Sequence, residues 1–587
     1  MQEKREIIKF ENKRNKAIFY GIFFFACALI FFRIGSFDSL NDGSHYSSRA
    51  ASYTDYILPN NQTTPMQWFG EAPWWGVLSF HDAPPLVFII QHAVFRLFGE
   101  NTFTMRFPFA VAGLGSIVLL FFIVRKLHGE KTALLSAGIL SISTFFIWSA
   151  RIAYLEGITT FFILLAMWSF LLFLEKEKYW FLFGVSLGLA FLAKYTAFFL
   201  IPFIFLYLIF SGRRRIAEKQ LLLSLGIAVV VFSPVIVYNI LMYKTRGHFD
   251  VQFSHLFSAW MFEAAQKDWP ILFTKQESST RIFTNALAFF TEMKAMFSFP
   301  WYVFLFASSI AGIVVAFWKK RNCKECIFFP LAFISIYVMF LFLPVTTRYL
   351  PIAVPILAGI AGWMLMLIFQ RGKKHKKVLA VALLALMAYE ALYNVNTNIV
   401  FHAYGETSAH FSAERQKSLG FNELNEYLSQ TWEDNAGFRR RARRILREED
   451  LAFRVSDLNR NNIYLYNFDI DWFGRVWYFQ RNALYHGLMY VTDTEFGRAI
   501  GYDTNMFLYL KNSGVKSVYY IFGEDKSVLT PGFEVTGENA QYREFLRERF
   551  IEYIDSFGDG EVVKIQSPVG AHAFTVYSLN LKNISEL

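Results

Sequence analysis

The chain has 587 residues, of which 54% are apolar, 19% are aromatic and only 18% are charged. Soluble globular domains carry about 25% charged residues, so this composition excludes a single soluble domain and favours many separate apolar segments. The net charge is +11, and in membrane proteins such an excess usually comes from basic cytoplasmic loops. No nucleic-acid-binding module is recognisable, and no nucleic-acid partner is expected.

The N-terminal residues 1–16 are charged, and an apolar run from Ala17 to Phe32 follows them. No small-x-small cleavage site comes after this run, which distinguishes it from a signal peptide. We therefore expect a short cytoplasmic segment over 1–16 and a first transmembrane helix that is retained.

Eleven apolar segments have lengths near the roughly 20 residues that a membrane-spanning helix needs. They lie at 17–33, 107–124, 132–150, 157–174, 179–193, 196–210, 220–242, 299–318, 327–344, 349–369 and 377–396. If the N-terminus is cytoplasmic, alternation places each basic cluster in an inside loop, as the positive-inside rule requires. These clusters occur near 13–16, 125–131, 176–178, 213–219, 319–324 and 371–377. The pattern predicts a multi-pass protein of the cell membrane with an extracytoplasmic C-terminal region.

One apolar segment, Leu86–Phe98, has only 13 residues and is interrupted by His92 and Arg96. Counting it as a span would reverse the side of every later loop, so we predict a helix that lies in the plane of the outer surface. The outer side then contains four segments, over about 34–103, 151–156, 243–298 and everything after 397.

The chain changes character near residue 398. Helical stretches and strand-like runs alternate beyond it, which is typical of a small α/β domain. The helical stretches lie at 414–429, 435–450 and 504–512, and the strand-like runs at 462–466, 515–522 and 574–579. The predicted fold is a polytopic α-helical membrane domain of about 11 transmembrane helices over 17–398, followed by an extracytoplasmic α/β domain over 399–587.

The three cysteines are Cys27, Cys323 and Cys326. The C-x-x-C at 323–326 has metal-ligand spacing, but a zinc site would need a second ligand pair nearby. We interpret these residues as inert thiols. The C-terminal domain has no cysteine, so no disulfide framework holds it.

Ionisable residues gather at the predicted outer ends of the helices. Placing a charged side chain near the membrane costs free energy, so such a group indicates a functional site. Asp42 has two readings: a base that deprotonates an acceptor hydroxyl, or the N-cap of a helix that begins near Ser44. Glu156 follows Arg151 by five residues, and a buried Arg–Glu pair is an equally open reading of these two.

Lys194 and Arg348 lie at the ends of apolar helices. They are either snorkelling anchors or ligands for a phosphate group. His81 and Asp82 precede two prolines that fix an extended turn. His81 is therefore either a metal ligand or a surface or capping histidine.

Six short motifs follow one another from Asp42 to Pro351, within the stretch of about 17–400. They are Asp42-Gly43-Ser44-His45-Tyr46, His81 before Pro84-Pro85-Leu86, Arg106-Phe107-Pro108, Ala150-Arg151 with Glu156, the helix from Gly184 to Lys194, and Arg348-Tyr349-Leu350-Pro351. In this order they resemble the GT-C class of membrane glycosyltransferases, in particular the protein O-mannosyltransferase and aminoarabinose-transferase-like group (glycosyltransferase family 39-like).

The resemblance implies transfer of a sugar from a polyprenyl phosphate to an acceptor on the outer side of the membrane. By this analogy Asp42 is the base, Glu156 is a second acidic residue of the site, and Lys194 and Arg348 hold the donor phosphate. The other substrate-binding candidates are Tyr46, His81, Asp82 and Arg151. The implied partners are the polyprenyl-phosphate sugar and membrane lipids, while the acceptor (protein, lipid or cell-envelope glycan) stays open.

Three departures from the family pattern bear on activity. Gly43 replaces a second acid, Glu156 replaces an aspartate, and Asp82 with Ala83 separates His81 from the prolines. The sequence requires no metal, and a divalent metal is an open option. The alternative function is a polytopic transporter or lipid flippase, which would place its polar groups near the membrane midplane rather than at one interface.

Overall fold

The computed structural model describes residues 10–52, 80–211, 218–270, 273, 281–319, 323–371, 375–405, 415–432, 461–486, 488–500, 505–530, 537–557 and 559–583. The chain forms two units. The membrane unit comprises Met1–Ile34 and Tyr53–Arg415, and the C-terminal unit comprises Gly35–Ser52 and Gln416–Leu587. Part of the first predicted outer loop therefore belongs with the C-terminal region rather than with the helices that flank it.

Helices are numbered in chain order, and α2 (Asp42–Ser52) is the one in the early part of the chain that belongs to the C-terminal unit. The helices of the membrane unit are α1 (Lys13–Phe31), α3 (Leu86–Phe98), α4 (Thr102–His128), α5 (Glu130–Ile142), α6 (Thr144–Arg151), α7 (Leu155–Glu175), α8 (Trp180–Ala193), α9 (Leu200–Phe210), α10 (Lys219–Arg246), α11 (Val251–Leu256), α12 (Ser258–Asp268), α13 (Arg281–Ala295), α14 (Phe299–Lys319), α15 (Phe328–Phe342), α16 (Val354–Arg371) and α17 (Lys376–Asn398). Short 3₁₀ turns at Tyr195–Phe199 and Thr347–Ala353 precede α9 and α16.

Polar caps set the starts of the first long helices. The side chain of Asn12 accepts from the N–H of Asn15 at the start of α1, at 2.8 Å. Asn101 and Thr104 form a capping box at the start of α4, in which each side chain satisfies a backbone N–H that the helix leaves unpaired. Gly129, with φ of 86°, lets the chain turn directly from α4 into α5.

All eleven predicted spans are helical. Within the described residues, eight helices are long and apolar enough to cross a membrane, and the bent pair α5–α6 is a ninth candidate. The other two predicted spans are shorter, at 14 residues for α8 and over Tyr195–Phe210 for the next. The chain is thus a multi-pass membrane protein, with eight or nine candidate full-length spans among the residues that the structure describes.

The apolar segment that was set apart from the spans forms α3, a single helix of 13 residues. It buries Val87, Phe88 and Phe95, whereas Leu97 and Phe98 are exposed. This division into a packed face and an exposed apolar end is compatible with a helix at a membrane surface. Its position in the plane of the membrane stays a prediction.

The two glycines of the predicted Gly-x-x-x-Gly helix bring α8 and α10 together. A Cβ atom on Gly184 would lie 2.5 Å from the carbonyl oxygen of Ser224, and one on Gly188 would lie 2.6 Å from Cβ of Val231. Small residues allow such close backbone approach between membrane helices. This packing fixes the helix whose C-terminal end carries Lys194.

Cys323 and Cys326 are joined by a disulfide, with their Cα atoms 5.4 Å apart. The interpretation of this C-x-x-C as two inert thiols is therefore wrong. The bond lies in the turn before α15, where two residues three positions apart come within bonding reach. Cys27, in α1, is a free cysteine.

The C-terminal unit contains a five-stranded sheet with the strand order β2-β1-β3-β5-β4. The strands are β1 (Asn462–Tyr466), β2 (Met489–Thr492), β3 (Ser517–Gly523), β4 (Gly560–Gln566) and β5 (His572–Asn580). β1 is parallel to both of its neighbours, whereas β5 is antiparallel to β3 and β4. The sheet is therefore mixed, as is common in α/β domains that carry antiparallel edge strands.

Helices cover this sheet and complete its core. They are α18 (Phe421–Ser429), a continuous helical stretch α19 (Trp472–Gly474, Arg475–Gln480 and Arg481–His486), α20 (Asp493–Ile500), α21 (Met506–Asn512) and α22 (Glu538–Phe557). Buried residues of the central strands, such as Leu465 and Val518, share one apolar cluster with Phe550 of α22. Apolar burial of this kind drives the packing of helix on sheet.

The small C-terminal α/β domain is confirmed. The runs predicted at 462–466, 515–522 and 574–579 correspond to β1, β3 and β5, and the stretch at 504–512 corresponds to α21. β2, β4 and α22 were not predicted. The helical stretch predicted at 435–450 lies outside the described residues.

Candidate active site

Two of the predicted site residues, Lys194 and Arg348, lie against one tyrosine of the membrane unit, and a third, Glu156, pairs with Lys194. Glu156 lies in the first turn of α7, Lys194 follows α8 in an extended conformation, and Arg348 lies in the Thr347–Ala353 turn. Lys194 Nζ donates to Glu156 Oε1 and lies 4.3 Å from the ring centre of Tyr349. The guanidinium carbon of Arg348 lies 5.1 Å from the same ring centre, and its Nη2 donates to the tyrosine hydroxyl at 3.2 Å.

This cluster combines burial with charge. The side chain of Glu156 is 1% exposed and that of Lys194 is 12% exposed. A carboxylate that has lost its water needs a cation beside it, and the lysine supplies one. Arg348 adds a second cation, held near the first because the face of Tyr349 attracts both. Cationic groups gathered in this way are suited to binding an anion.

An acidic group adjoins the cluster through the residue that follows Lys194. The hydroxyl of Tyr195 donates to Asp250 Oδ2, and Asn239 Nδ2 donates to the same oxygen at 3.0 Å. Asp250 Oδ1 accepts from the N–H of Phe253 at 2.9 Å and so caps α11. Asp82 interacts electrostatically with both Asp250 and Tyr195.

Burial raises the pKa of Asp250 to about 6, because desolvation penalises the charged carboxylate. The negative charge of Asp82 acts in the same direction, and the hydrogen bonds from Phe253, Tyr195 and Asn239 oppose it. Asp250 follows the span α10 and lies outside it. Asp250 therefore gains or loses its proton near pH 6.

His81 is fully buried, so the expectation of a surface histidine is wrong. Its carbonyl accepts from the N–H of Val251 at 2.7 Å, and its ring stacks on Trp269 with the ring centres 5.7 Å apart. These contacts tie the turn that carries Asp82 to the start of α11. No group of three or more His, Cys, Asp or Glu side chains in the described ranges is arranged to hold a metal ion.

Arg151 is directed at the C-terminal end of α1. Its Nη1 donates to the carbonyls of Leu29, Ile30 and Phe32 at 2.7, 2.8 and 2.9 Å. Arg106 Nη1 donates to the carbonyl two positions further on, at 2.8 Å. Helix C-terminal carbonyls lack intrahelical donors and favour a cation. These bonds give Arg151 a part in fixing α1 against α6, close in sequence to Glu156.

The helix that ends at Arg151 follows a break in a membrane span, since α5 and α6 meet at 63°. Three polar residues spaced by one turn on α17, Glu390, Asn394 and Asn398, satisfy the backbone groups at the break. Glu390 accepts from the N–H of Thr144 at 2.9 Å, and Asn394 Nδ2 donates to the carbonyl of Ile142 at 3.1 Å. Asn398 Nδ2 donates to the carbonyl of Thr144 at 3.1 Å.

The remaining predicted site residues, Asp42 and Tyr46, lie on α2 in the C-terminal unit. The cap position of this helix falls at Asn41, whose Oδ1 accepts from the N–H of Gly43 at 2.9 Å, so Asp42 is the first helical residue. Asp42 is partly exposed. Tyr46 is buried, and the guanidinium of Arg49 lies 6.0 Å from its ring centre.

Sequence reasoning missed Tyr349, Asp250 and Glu390. Tyr349 follows Arg348 directly in the motif, but a motif does not show which rings receive cations. Asp250 was detectable as an N-cap after Gly247, which ends α10 in a left-handed conformation. Glu390 was detectable as an acid within an apolar span, where charge is costly.

Residues 82–238 match the family model described as dolichyl-phosphate-mannose-protein mannosyltransferase. This segment contains Glu156 and Lys194, whereas Asp42 and Arg348 lie outside it. The match therefore covers Lys194 of the cationic cluster and Asp82 and Tyr195 of the acidic group, whereas Asn239 and Asp250 lie just beyond it.

Two curated relatives from Bacillus subtilis carry the description putative mannosyltransferase. The chain is 27% identical to YkcB over 168 residues, which are 27% of this chain and 23% of the relative. It is 31% identical to YycA over 156 residues, which are 26% of this chain and 22% of the relative. The aligned region thus spans about a quarter of the length of either relative.

Solved structures match nearly the whole chain. ArnT from Cupriavidus metallidurans, bound to undecaprenyl phosphate, gives a TM-score of 0.52 at 10% identity, covering 97% of this chain and 99% of ArnT. The Archaeoglobus fulgidus oligosaccharyltransferase gives a TM-score of 0.50 at 12% identity, covering 95% of this chain and 72% of that protein. At such low identity the likeness shows the fold. The predicted GT-C-like architecture is confirmed.

Proposed function

We propose that this protein transfers a glycosyl group from a polyprenyl-phosphate-linked sugar to an acceptor on the extracytoplasmic side of the membrane. The observation that carries the proposal is the cationic cluster, in which Lys194 and Arg348 meet over Tyr349 beside the buried Glu156. A lipid-linked phosphate is an anion presented at a membrane, and fixed cations in a site of low dielectric bind it strongly.

The reaction breaks the bond between the anomeric carbon of the sugar and a phosphate oxygen. An acceptor hydroxyl attacks the anomeric carbon, a base takes its proton, and polyprenyl phosphate leaves. We assign Asp42 as the base and Glu156 as the second acidic residue. Lys194 and Arg348 stabilise the charge that develops on the departing phosphate.

The substrate contacts assigned to Tyr46, His81 and Asp82 complete the proposal, while Arg151 acts through the end of α1. Relatives described as mannosyltransferases and a fold shared with an undecaprenyl-phosphate-bound ArnT support a lipid-phosphate donor. Both hexose and pentose donors fit the proposal, as do protein, lipid and cell-envelope glycan acceptors.

A binding experiment tests the donor site. Purified protein in nanodiscs is titrated with undecaprenyl phosphate, and Lys194→Met and Arg348→Met are each expected to weaken binding about tenfold, since each removes a charge-assisted contact. Lys126→Met is the matched control. Lys126 pairs with Glu175, so this pair lies at the opposite end of the same helix, α7, about 28 Å from Glu156 along its axis. Equal weakening in all three variants would remove the basis for the donor site.

A transfer assay tests the base. Asp42→Asn should abolish release of polyprenyl phosphate from a polyprenyl-phosphate sugar, because the amide cannot take the acceptor proton, while expression and undecaprenyl phosphate binding persist. Retained release in this variant would overturn the assignment of Asp42. Movement of the intact lipid across the membrane, with no release of phosphate in the wild type, would favour the transporter instead.

A further inference from the structure

The segment that carries Asp42 is anchored by a buried carboxylate. The side chain of Asp38 is buried, and its Oδ2 accepts from the N–H groups of Leu419, Gly420 and Phe421 at 2.5, 3.1 and 3.3 Å. Its Oδ1 accepts from the N–H of Asn422 at 2.9 Å. Gly420 is the N-cap of α18, and Phe421 and Asn422 are its first residues, whose N–H groups have no acceptor within the helix. Asp38 thus joins the segment before α2 to a helix that begins nearly 400 positions later.

The backbone at this junction leaves little freedom. Gly420 has φ of 107°, in the left-handed region, and a Cβ atom there would lie 2.8 Å from Cβ of Ala573. The N–H of Asp38 also donates to the carbonyl of Lys417 at 2.9 Å. Asp38 therefore makes contacts through both its side chain and its backbone, and only glycine fits beside it without strain.

A tyrosine hydroxyl makes a second connection. Tyr478 of α19 accepts from the N–H of Ser39 at 3.1 Å and donates to Asn422 Oδ1 at 2.8 Å. Its ring stacks on Phe421, with centres 5.4 Å apart. One side chain thereby links the residue after Asp38, α18 and α19.

The helix α2 itself packs on α19 through one face. His45 stacks on Trp472, with centres 6.3 Å apart, and Ser48 Oγ donates to the carbonyl of Val476 at 3.3 Å. Arg49 Nη2 lies 3.0 Å from His45 Nε2. Ser48 and Arg49 follow His45 by three and four residues, so the three share a helical face, and all three are buried. Asp42, the first residue of α2, is partly exposed.

We propose that the C-terminal unit holds the acid-bearing helix α2 in place for glycosyl transfer, with Asp38 as a positioning residue for Asp42; this inference rests on the proposed function. The base then belongs to the C-terminal unit, although it lies in the first outer loop of the sequence. Asp38 acts through the position of α2 and contacts no reacting atom.

The test compares Asp38→Asn with the wild type in the full-length protein. The amide keeps the shape of the side chain but replaces one accepting oxygen with a donor, which opposes a backbone N–H. Hydrogen–deuterium exchange should rise in peptides covering 36–52 and 417–424 and stay unchanged in α7. The kcat of transfer should fall at least about tenfold, while the Kd for undecaprenyl phosphate stays within about twofold of the wild-type value.

Asp525→Asn is the control, because Asp525 caps a different turn of the same unit, where its Oδ1 accepts from the N–H of Ser527. If Asp38→Asn does not fold, Tyr478→Phe removes one hydroxyl and keeps the stacked ring. It should lower kcat several-fold, with Tyr577→Phe as its control because that hydroxyl serves Arg547.

Faster exchange in 36–52 with an unchanged kcat would overturn the inference, and so would unchanged exchange. These outcomes differ from failure of the proposed function, which Asp42→Asn reports. If Asp42→Asn stays active, the base is misassigned whatever the exchange shows.

Discussion

At the scale of single residues, the ion pair between Glu156 and Lys194 determines the charge of the candidate site. Its carboxylate is almost without solvent, and burying a charge is tolerable only when a partner compensates it. Lys194 is that partner, and it also lies against Tyr349. The carboxylate thus competes with any incoming phosphate for the same ammonium group.

Because of this competition, loss of Glu156 and loss of Lys194 should have opposite effects on phosphate binding. Glu156→Gln removes the competing anion and leaves the cations, so undecaprenyl phosphate should bind several-fold more tightly while the kcat of transfer falls. Titration in nanodiscs and a release assay measure the two effects. Glu175→Gln, at the other end of α7, should change neither. Weaker phosphate binding in Glu156→Gln would contradict this account of the cluster.

Asp250 predicts a pH dependence of stability. Because burial raises its pKa from 3.8 to about 6, the folded state binds a proton more tightly than the unfolded state does. Its contribution to the free energy of unfolding is therefore largest below pH 4 and is lost as the pH rises through about 6. The two pKa values correspond to a loss of about 3 kcal/mol at most.

The measurement is the Tm of wild type and Asp250→Asn in detergent between pH 4 and pH 7. The amide still caps α11 but does not titrate, so the wild-type Tm should fall relative to that of the variant over this range. Asp525→Asn should leave the profile of the wild type in place. Parallel profiles for wild type and Asp250→Asn would show that Asp250 does not titrate as described.

Sequence patterns indicated which single residues stand at helix ends but not what they contact. Lys194 and Arg348 were identified because charge at the end of an apolar helix is conspicuous. The ring between them was not, because Tyr349 is unremarkable among 29 tyrosines. One reading of Arg151 was a pair with Glu156, its neighbour in sequence, and nothing in the sequence indicated that its Nη1 donates to carbonyls at the end of α1, about 120 positions earlier. Long-range pairing of this kind has no signature in one sequence.

At the scale of elements, hydropathy located all eleven apolar segments that form helices, because apolar length is a one-dimensional property. The break at Ser143 between α5 and α6 was not predicted, since serine and threonine are ordinary in membrane helices. The break exists because α17 supplies polar groups at matching positions. In the C-terminal unit, β2 has only four residues and β4 is largely exposed, so neither shows the apolar alternation by which strands are recognised.

The contacts of Glu390 predict how much it contributes to stability at the break between α5 and α6. Its two oxygens accept from the N–H of Thr144, which opens α6, and from the N–H of Ser298, which precedes α14, at 2.9 and 3.2 Å. Glu390→Gln leaves one accepting oxygen and turns a donor toward the other N–H, which costs about 1–3 kcal/mol. The Tm in detergent should fall by a few degrees. Tyr389→Phe, at the exposed neighbouring position, should leave Tm unchanged, and an equal Tm for Glu390→Gln would show that the carboxylate is not needed at the break.

At the scale of the whole molecule, the boundaries of the two units differ from the single boundary that hydropathy predicts. Composition predicted a boundary near residue 398, but residues 35–52 belong with the region after 415. Hydropathy cannot detect this arrangement because a polar loop reads the same whether it packs on its own unit or on another. The consequence is that Asp42 and Tyr46 belong to one unit and Glu156, Lys194 and Arg348 to the other.

The orientation of the chain gives the last prediction. The basic clusters place the N-terminus and the loop at 176–178 inside and the region after 397 outside. In a background where Cys27, Cys323 and Cys326 are replaced by serine, Ser429→Cys on α18 should react with a membrane-impermeant maleimide in intact cells. Lys178→Cys should react only after the membrane is opened. Both positions are exposed, so burial does not limit either reaction. The reverse pattern would place the C-terminal unit and its Asp42 in the cytoplasm, and the donor would then have to be a sugar lipid presented on the inner leaflet.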